Sequence, residues 1–221
     1  LYHNIIENRV FPFFANSFFV EASFQADSMS GVDFASVTVE RERAYQQVIR
    51  LNCGNFEKYA ACAEGSQHIQ QMHENLNKLE QRGYAVIDEK LNGACLEMPA
   101  MEYPTAEDIF LSHLKKGDTT AAMDLLEGHF NRILGSSESI PVGSIRLPPE
   151  LKDEAETMDF GPVLKDAFCD MLLSNCFLVN GEYVFYDQEW RFDDLPASFV
   201  MYLVVSVLYS SFTWIGSILP E

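Results

Sequence analysis

The chain has 221 residues, enough for one large domain or two small lobes sharing a core, and at 48% hydrophobic and 22% charged it has the profile of a packed globular protein. Its 33 acids against 15 bases give a formal charge of −18, which argues against a nucleic-acid partner, because phosphate backbones are held by clustered Lys and Arg. Five cysteines form no CxxC pair and no zinc spacing, and no secretory signal precedes them, so reduced thiols and a cytoplasmic location are expected. The chain begins with Leu1 rather than Met, which reads as a piece of something longer.

In chain order, VFPFFANSFFVEASF is an aromatic run broken by Ala-Asn-Ser, the pattern of two strands joined by a turn, and FASVTVERERAYQQVIRL continues the sheet. SQHIQQMHENLNKLEQRG predicts a helix: Ile69, Met72, Leu76 and Leu79 recur at helical spacing, Ser66 can cap the start, and Gly83 stops it. YAVIDEKLNGACLEMPAM predicts a hairpin turning at Asn92-Gly93. Two helices follow, EYPTAEDIFLSHLKKGD with Thr105 as cap and Glu107 and Asp108 in its first turn, then TTAAMDLLEGHFNRILGS. The proline-bearing SSESIPVGSIRLPPELKDE reads as a loop or insert. From Leu195 to Pro220 no residue is charged, and the run is long enough to cross a bilayer. Its Ser and Thr content and the absence of basic flanks favour a buried helix or helix pair, and a membrane partner is not expected. A sheet with one helix followed mostly by helices predicts an α+β chain of two lobes. Residues 1–100 would be small and β-rich, residues 101–221 mainly helical, with the junction near 98–104.

The chemistry-bearing stretch is DMLLSNCFLVNGEYVFYDQEW, residues 170–190. Asp170 and Asn175 stand at Asp-x4-Asn spacing, and a hairpin turning at Asn180-Gly181 returns the chain to Asp187. Phosphoryl transfer needs a carboxylate to orient the attacking hydroxyl and Mg²⁺ on the phosphates. Kinase-like enzymes give these tasks to an Asp-x4-Asn and an Asp after a hairpin, and here the oxygens of Asn175 and Asp187 could ligate one Mg²⁺. The same residues also serve ordinary turns and strand ends.

Asp187-Gln188-Glu189-Trp190 resembles the DQEW signature of a family of bacterial kinase-like domains, which follow a methyltransferase-like domain in proteins linked to cell-surface polysaccharide synthesis. VFPFFANSFFVE, MPAMEYPTAEDIF and DDLPASFVMYL resemble other stretches of that family in the right order. The resemblance implies a two-lobed protein-kinase-like fold that uses ATP and Mg²⁺, with Asp170 as the catalytic carboxylate and Asn175 and Asp187 as metal ligands. Glu189 would hold the metal's water or form a salt bridge with Arg191 or Arg146. Asn16 and Ser17 would cover the phosphates, and the segment from Glu97 and Met98 to Met101 would face the base through backbone atoms. The partners implied are a nucleotide, a sugar or glycan acceptor, and an upstream methyltransferase-like domain.

Three departures weaken the implied activity. The first 30 residues hold no Gly, so there is no glycine-rich loop. No lysine precedes Lys58, so the phosphate-binding lysine reads as missing from its strand, with Arg41 or Arg43 as a substitute cation and Glu64 or Glu74 as its former partner. Phe168-Cys169 precedes Asp170, and Cys169 reads as a small buried hydrophobe. The competing expectation is therefore a catalytically inactive scaffold with its cleft filled by Phe13, Phe14 or Phe18. The five histidines are scattered, and His68 and His73 lie on different sides of their helix.

Overall fold

The computed structural model describes residues 32–141 and 159–219. The chain is α+β, and two hydrophobic cores organise it. Among the described residues, 32–99 form a five-stranded antiparallel sheet from β1 (Val32–Val37), β2 (Gln47–Asn52), β3 (Asn55–Ala60), β5 (Lys90–Asn92) and β6 (Cys95–Pro99), in the order β1-β2-β3-β6-β5. Helix α1 (Ser66–Gln81) lies against it, and the expected apolar stripe is the contact: Ile69, Met72 and Leu76 bury with Ile87, Leu96 and Met98. Leu79, one turn further on, belongs to the second core instead, so α1 serves both.

The strand β3 was not foreseen. Cys53-Gly54, both at positive φ, form the two-residue turn that joins it to β2, where Asn52 pairs with Asn55. The expected turn at Asn180-Gly181 is present with both residues at positive φ. The other predicted turn sits one residue along: Asn92 pairs with Cys95, so Gly93-Ala94 occupy its centre.

The second core packs α2 (Ala106–Lys115), α3 (Thr119–Gly135) and α4 (Ala197–Ser211) around β8 (Val163–Phe168), β9 (Cys176–Val179) and β10 (Glu182–Phe185). This part carries more strand than expected. Besides the hairpin β9–β10, β8 pairs antiparallel with β7 (Ser139–Ile140) and β11 (Arg191–Pro196), in the order β11-β8-β7. The stretch VLKDAF is a strand rather than a lead-in, and Val163, Leu164, Ala167 and Phe168 are all buried. The two parts are joined by more than the 99–105 connection: β4 (Ala85–Val86) pairs in parallel with β10, and the Ile87 N–H donates to the Phe185 carbonyl.

Thr105 caps α2 as expected, accepting from the Asp108 N–H while Asp108 accepts from the Thr105 N–H and hydroxyl. Thr105→Ala is expected to cost about 1 kcal/mol in urea unfolding, the ordinary value of such a cap. The uncharged C-terminal run is a helix of 15 residues, α4, followed by a 3₁₀ turn at Thr213–Ser217. Among the described residues no helix is long and apolar enough to cross a membrane.

Candidate functional site

The residues of the DQEW stretch leave β10 in four directions, and each has a separate job. Asp187 faces β3, where the Lys58 ammonium donates to its Oδ1 at 2.5 Å. Gln188 is buried, and its amide donates to the Asp170 and Tyr186 carbonyls at 2.9 Å each, tying the loop before β9 to the strand after it. Glu189 accepts from Arg41 at 2.6 Å and from His68 at 3.1 Å through Oε2, while its Oε1 lies 4.0 Å from Lys58. Trp190 meets the rings of Tyr45 and His68 at 4.8 and 5.0 Å. Behind them Asn75, fully buried on α1, donates to the Gln188 and Glu189 carbonyls and fixes the backbone between.

Lys58 is the main correction to the sequence reading. The sheet does carry a buried lysine facing the motif: Lys58 stands on β3, and its side chain is 6% exposed. Phe56, Lys58 and Ala60 share the inward face of the strand, so an apolar stem carries a charge to the edge of the first core. Arg41 is engaged with Glu189, while Arg43 pairs with Glu64 on the surface at 3.0 Å.

Beside Lys58 and Asp187 lies a cleft of about 360 Å³, lined by Ile49, Phe56, Ile87, Met98, Phe177 and Tyr186 among others. Phe177 and Tyr186 stack at 4.7 Å, nearly parallel. An apolar slot that ends in one cation and one carboxylate has the composition of a site for a flat, partly apolar ligand with a charged tail. Of the two expected base-facing residues, Met98 lines this cleft. Glu97 does not line it and belongs instead to a separate polar groove with Glu57, Asp88 and Lys90. Asn16, Ser17, Phe13, Phe14, Phe18 and Arg146 lie outside the described residues.

The structure brings Asp170, Asn175 and Asp187 together. The Asn175 amide nitrogen donates to the Asp170 carbonyl at 3.2 Å and to the Asp187 carbonyl at 3.5 Å. The Asp170 carboxylate accepts from the Trp190 N–H at 2.6 Å. Burial, then the neighbouring charges of Glu189 and Asp187, push its pKa up to about 7. Glu189 goes the other way: His68, Lys58 and Arg41 outweigh its burial and hold it at about 2. Asp187 has φ 54, in the left-handed region that Asp and Asn enter more readily than most residues with a side chain.

For a hard cation such as Mg²⁺, one carboxylate, one amide oxygen and the ligand's own phosphates suffice. Asp187 and Asn175 fit that role, since the Asn175 nitrogen is committed to carbonyls and its oxygen is the atom left for a cation. Glu189 does not fit as a direct ligand, because one oxygen is taken by Arg41 and His68 and the other faces Lys58. The salt bridge expected for it exists with other partners, since Arg191 pairs with Asp166 and Asp193. Among the described residues no three His, Cys, Asp or Glu side chains close on a common point. His68 and His73 serve different carboxylates, Glu189 and Glu89. Cys169 is buried with its thiol pushed up to about 12, which agrees with an inert hydrophobe, and all five cysteines are free. No family model matches the chain, and no curated protein matches it.

Proposed function

We propose that this chain is a Mg²⁺–ATP-dependent phosphotransferase of the kinase-like, two-lobed kind, transferring a phosphoryl group to a hydroxyl acceptor. The observation that carries the reading is the Lys58–Asp187 pair at the end of the apolar cleft, between residues 129 positions apart in the chain. Lys58 would neutralise phosphate oxygens, Asp187 and Asn175 would hold the metal, and Phe56, Met98 and Phe177 would sandwich the base. The metal's part is to offset charge on the transferred group. Asp170, with a pKa near neutrality, is suited to accept the acceptor's proton.

A sugar or surface glycan is the acceptor that the sequence resemblance favours, beside an upstream methyltransferase-like domain. A groove of about 350 Å³ on the other side of Glu189, with Tyr45, Trp190 and Phe192 beside Gln67 and Gln71, supports an acceptor of that mixed character. One observation favours the second reading, a silent scaffold. Asp170 already commits an oxygen to the Trp190 N–H.

Calorimetric titration separates the two. Wild type is expected to bind ATP more tightly with Mg²⁺ than without, and Asp187→Asn is expected to lose that difference while keeping adenosine in the apolar cleft. A wild-type protein that binds neither ATP nor adenosine would overturn the phosphotransferase reading and leave the scaffold.

A further inference from the structure

The connection between β1 and β2, residues 38–46, is braced on itself: the Gln46 amide donates to the Val39 and Arg41 carbonyls at 3.1 and 2.9 Å. It docks on the site at two points. Tyr45 packs edge-on against His68 and Trp190 at 5.0 and 4.8 Å, and Arg41 reaches Glu189 at 2.6 Å. Glu189 thus receives a group from the β1–β2 connection, another from α1 and, at 4.0 Å, Lys58 from β3. Its own backbone is held by Asn75, so it is the fixed member of the set.

We infer that Glu189 is a positioning residue that holds Arg41 and Lys58, and with Arg41 the 38–46 connection, in place for the phosphates of the nucleotide. This rests on the phosphotransferase reading above. When Asp187 turns to a metal, Lys58 loses its nearest anion, and Glu189 is the carboxylate within reach to keep the ammonium aimed. Glu189 does not touch the ligand. It acts through the two cations.

The sign of the effect discriminates. A carboxylate that merely sits near a polyphosphate repels it, so its removal tightens binding. A carboxylate that orients two cations has the opposite consequence. Glu189→Gln keeps the shape and one acceptor but sets an NH₂ group against Lys58 or Arg41, so the orientation is lost along with the charge.

The test measures hydrogen exchange at residues 38–46 and calorimetric binding of Mg²⁺–ATP and of adenosine. It compares wild type, Glu189→Gln, Arg41→Ala, the double variant and, as a surface control, Glu64→Gln. Glu189→Gln and Arg41→Ala are each expected to speed exchange and weaken ATP about tenfold, as loss of a charge-assisted contact does. Adenosine is expected to bind unchanged, the double variant to be no worse than either single one, and Glu64→Gln to resemble wild type. Tighter or unchanged ATP binding in Glu189→Gln, or equal losses for ATP and adenosine, would overturn the inference. If wild type binds neither ligand, the phosphotransferase reading has failed, and the exchange data decide the docking role alone: unchanged exchange in both single variants overturns it.

Discussion

Asp170→Asn is expected to stabilise the protein at pH 8 by about 2–4 kcal/mol, read as a higher midpoint in urea, while removing any phosphotransfer. The Asp170 carboxyl titrates at about 7 in the folded chain against an ordinary 3.8, chiefly because burial disfavours its charged form. A raised acid binds its proton more tightly when folded. Its contribution is therefore present in full below pH 3.8 and is lost as the pH rises through 7. Asn avoids that cost and keeps an oxygen for the Trp190 N–H. The pH dependence sharpens the test, because a second buried group works against the first. His129, whose Nε2 donates to the Met171 carbonyl at 2.7 Å, is held neutral by burial down to about 4 from an ordinary 6.5. It costs stability as the pH falls over much the same window in which Asp170 restores it. Between pH 7 and 4 the two nearly cancel in wild type. In Asp170→Asn only the His129 loss remains, so the variant is expected to weaken steadily from pH 6.5 to 4 where wild type stays level. A gain that persists unchanged at pH 4 would mean that Asp170 is not the source of the strain.

Lys58→Met is the second large change, and it acts on stability and binding at once. Methionine reproduces most of the stem that packs beside Phe56 and Ala60, so little is lost in contact area. The loss is electrostatic. Asp187 forfeits its 2.5 Å partner, whereas Glu189 keeps Arg41 and His68. Stranding a partly buried carboxylate in this way is expected to cost about 3 kcal/mol, at the lower end for such pairs because Asp187 is a quarter exposed. Adding Asp187→Asn should recover part of it, since neither charge then remains alone. Mg²⁺–ATP binding is expected to fall between about ten- and a hundredfold, the worth of one charge-assisted contact to a phosphate. A stability loss without a loss of affinity would keep the ion pair as structure and remove Lys58 from the ligand site.

Whether a feature could be read from the sequence followed the range of the interactions behind it. The helices at 66–81, 106–115 and 119–135 announce themselves by local spacing and by caps such as Thr105, and the Asn180-Gly181 turn by its own chemistry. The approach of Asp170, Asn175 and Asp187 was also legible, because one hairpin sets it. Lys58 was not. Charge on an inward-facing strand position breaks the alternation that marks a strand, so β3 is camouflaged by the residue that makes it useful; the period-two set Phe56, Lys58, Ala60 after Cys53-Gly54 was the available signal. The partners of Glu189 had no such signal. Arg41 and His68 lie 148 and 121 positions away, and only the packing of α1 and of the 38–46 connection brings them together.

The short parallel ladder between β4 and β10 has a consequence for how the chain acquires its shape. Ala85 and Val86 pair with Val184 and Phe185, roughly a hundred residues later, a separation that makes such contacts slow to form. During synthesis the five-stranded sheet and α1 emerge first, with the far end of that helix, Leu79, still lacking the second core it packs into. The nascent first core must wait, partly uncovered, until the hairpin around Asn180-Gly181 leaves the ribosome and closes the seam. Since the same hairpin delivers Asp187 to Lys58, the candidate site is assembled only when that seam closes, and a chain that ends before the hairpin lacks it.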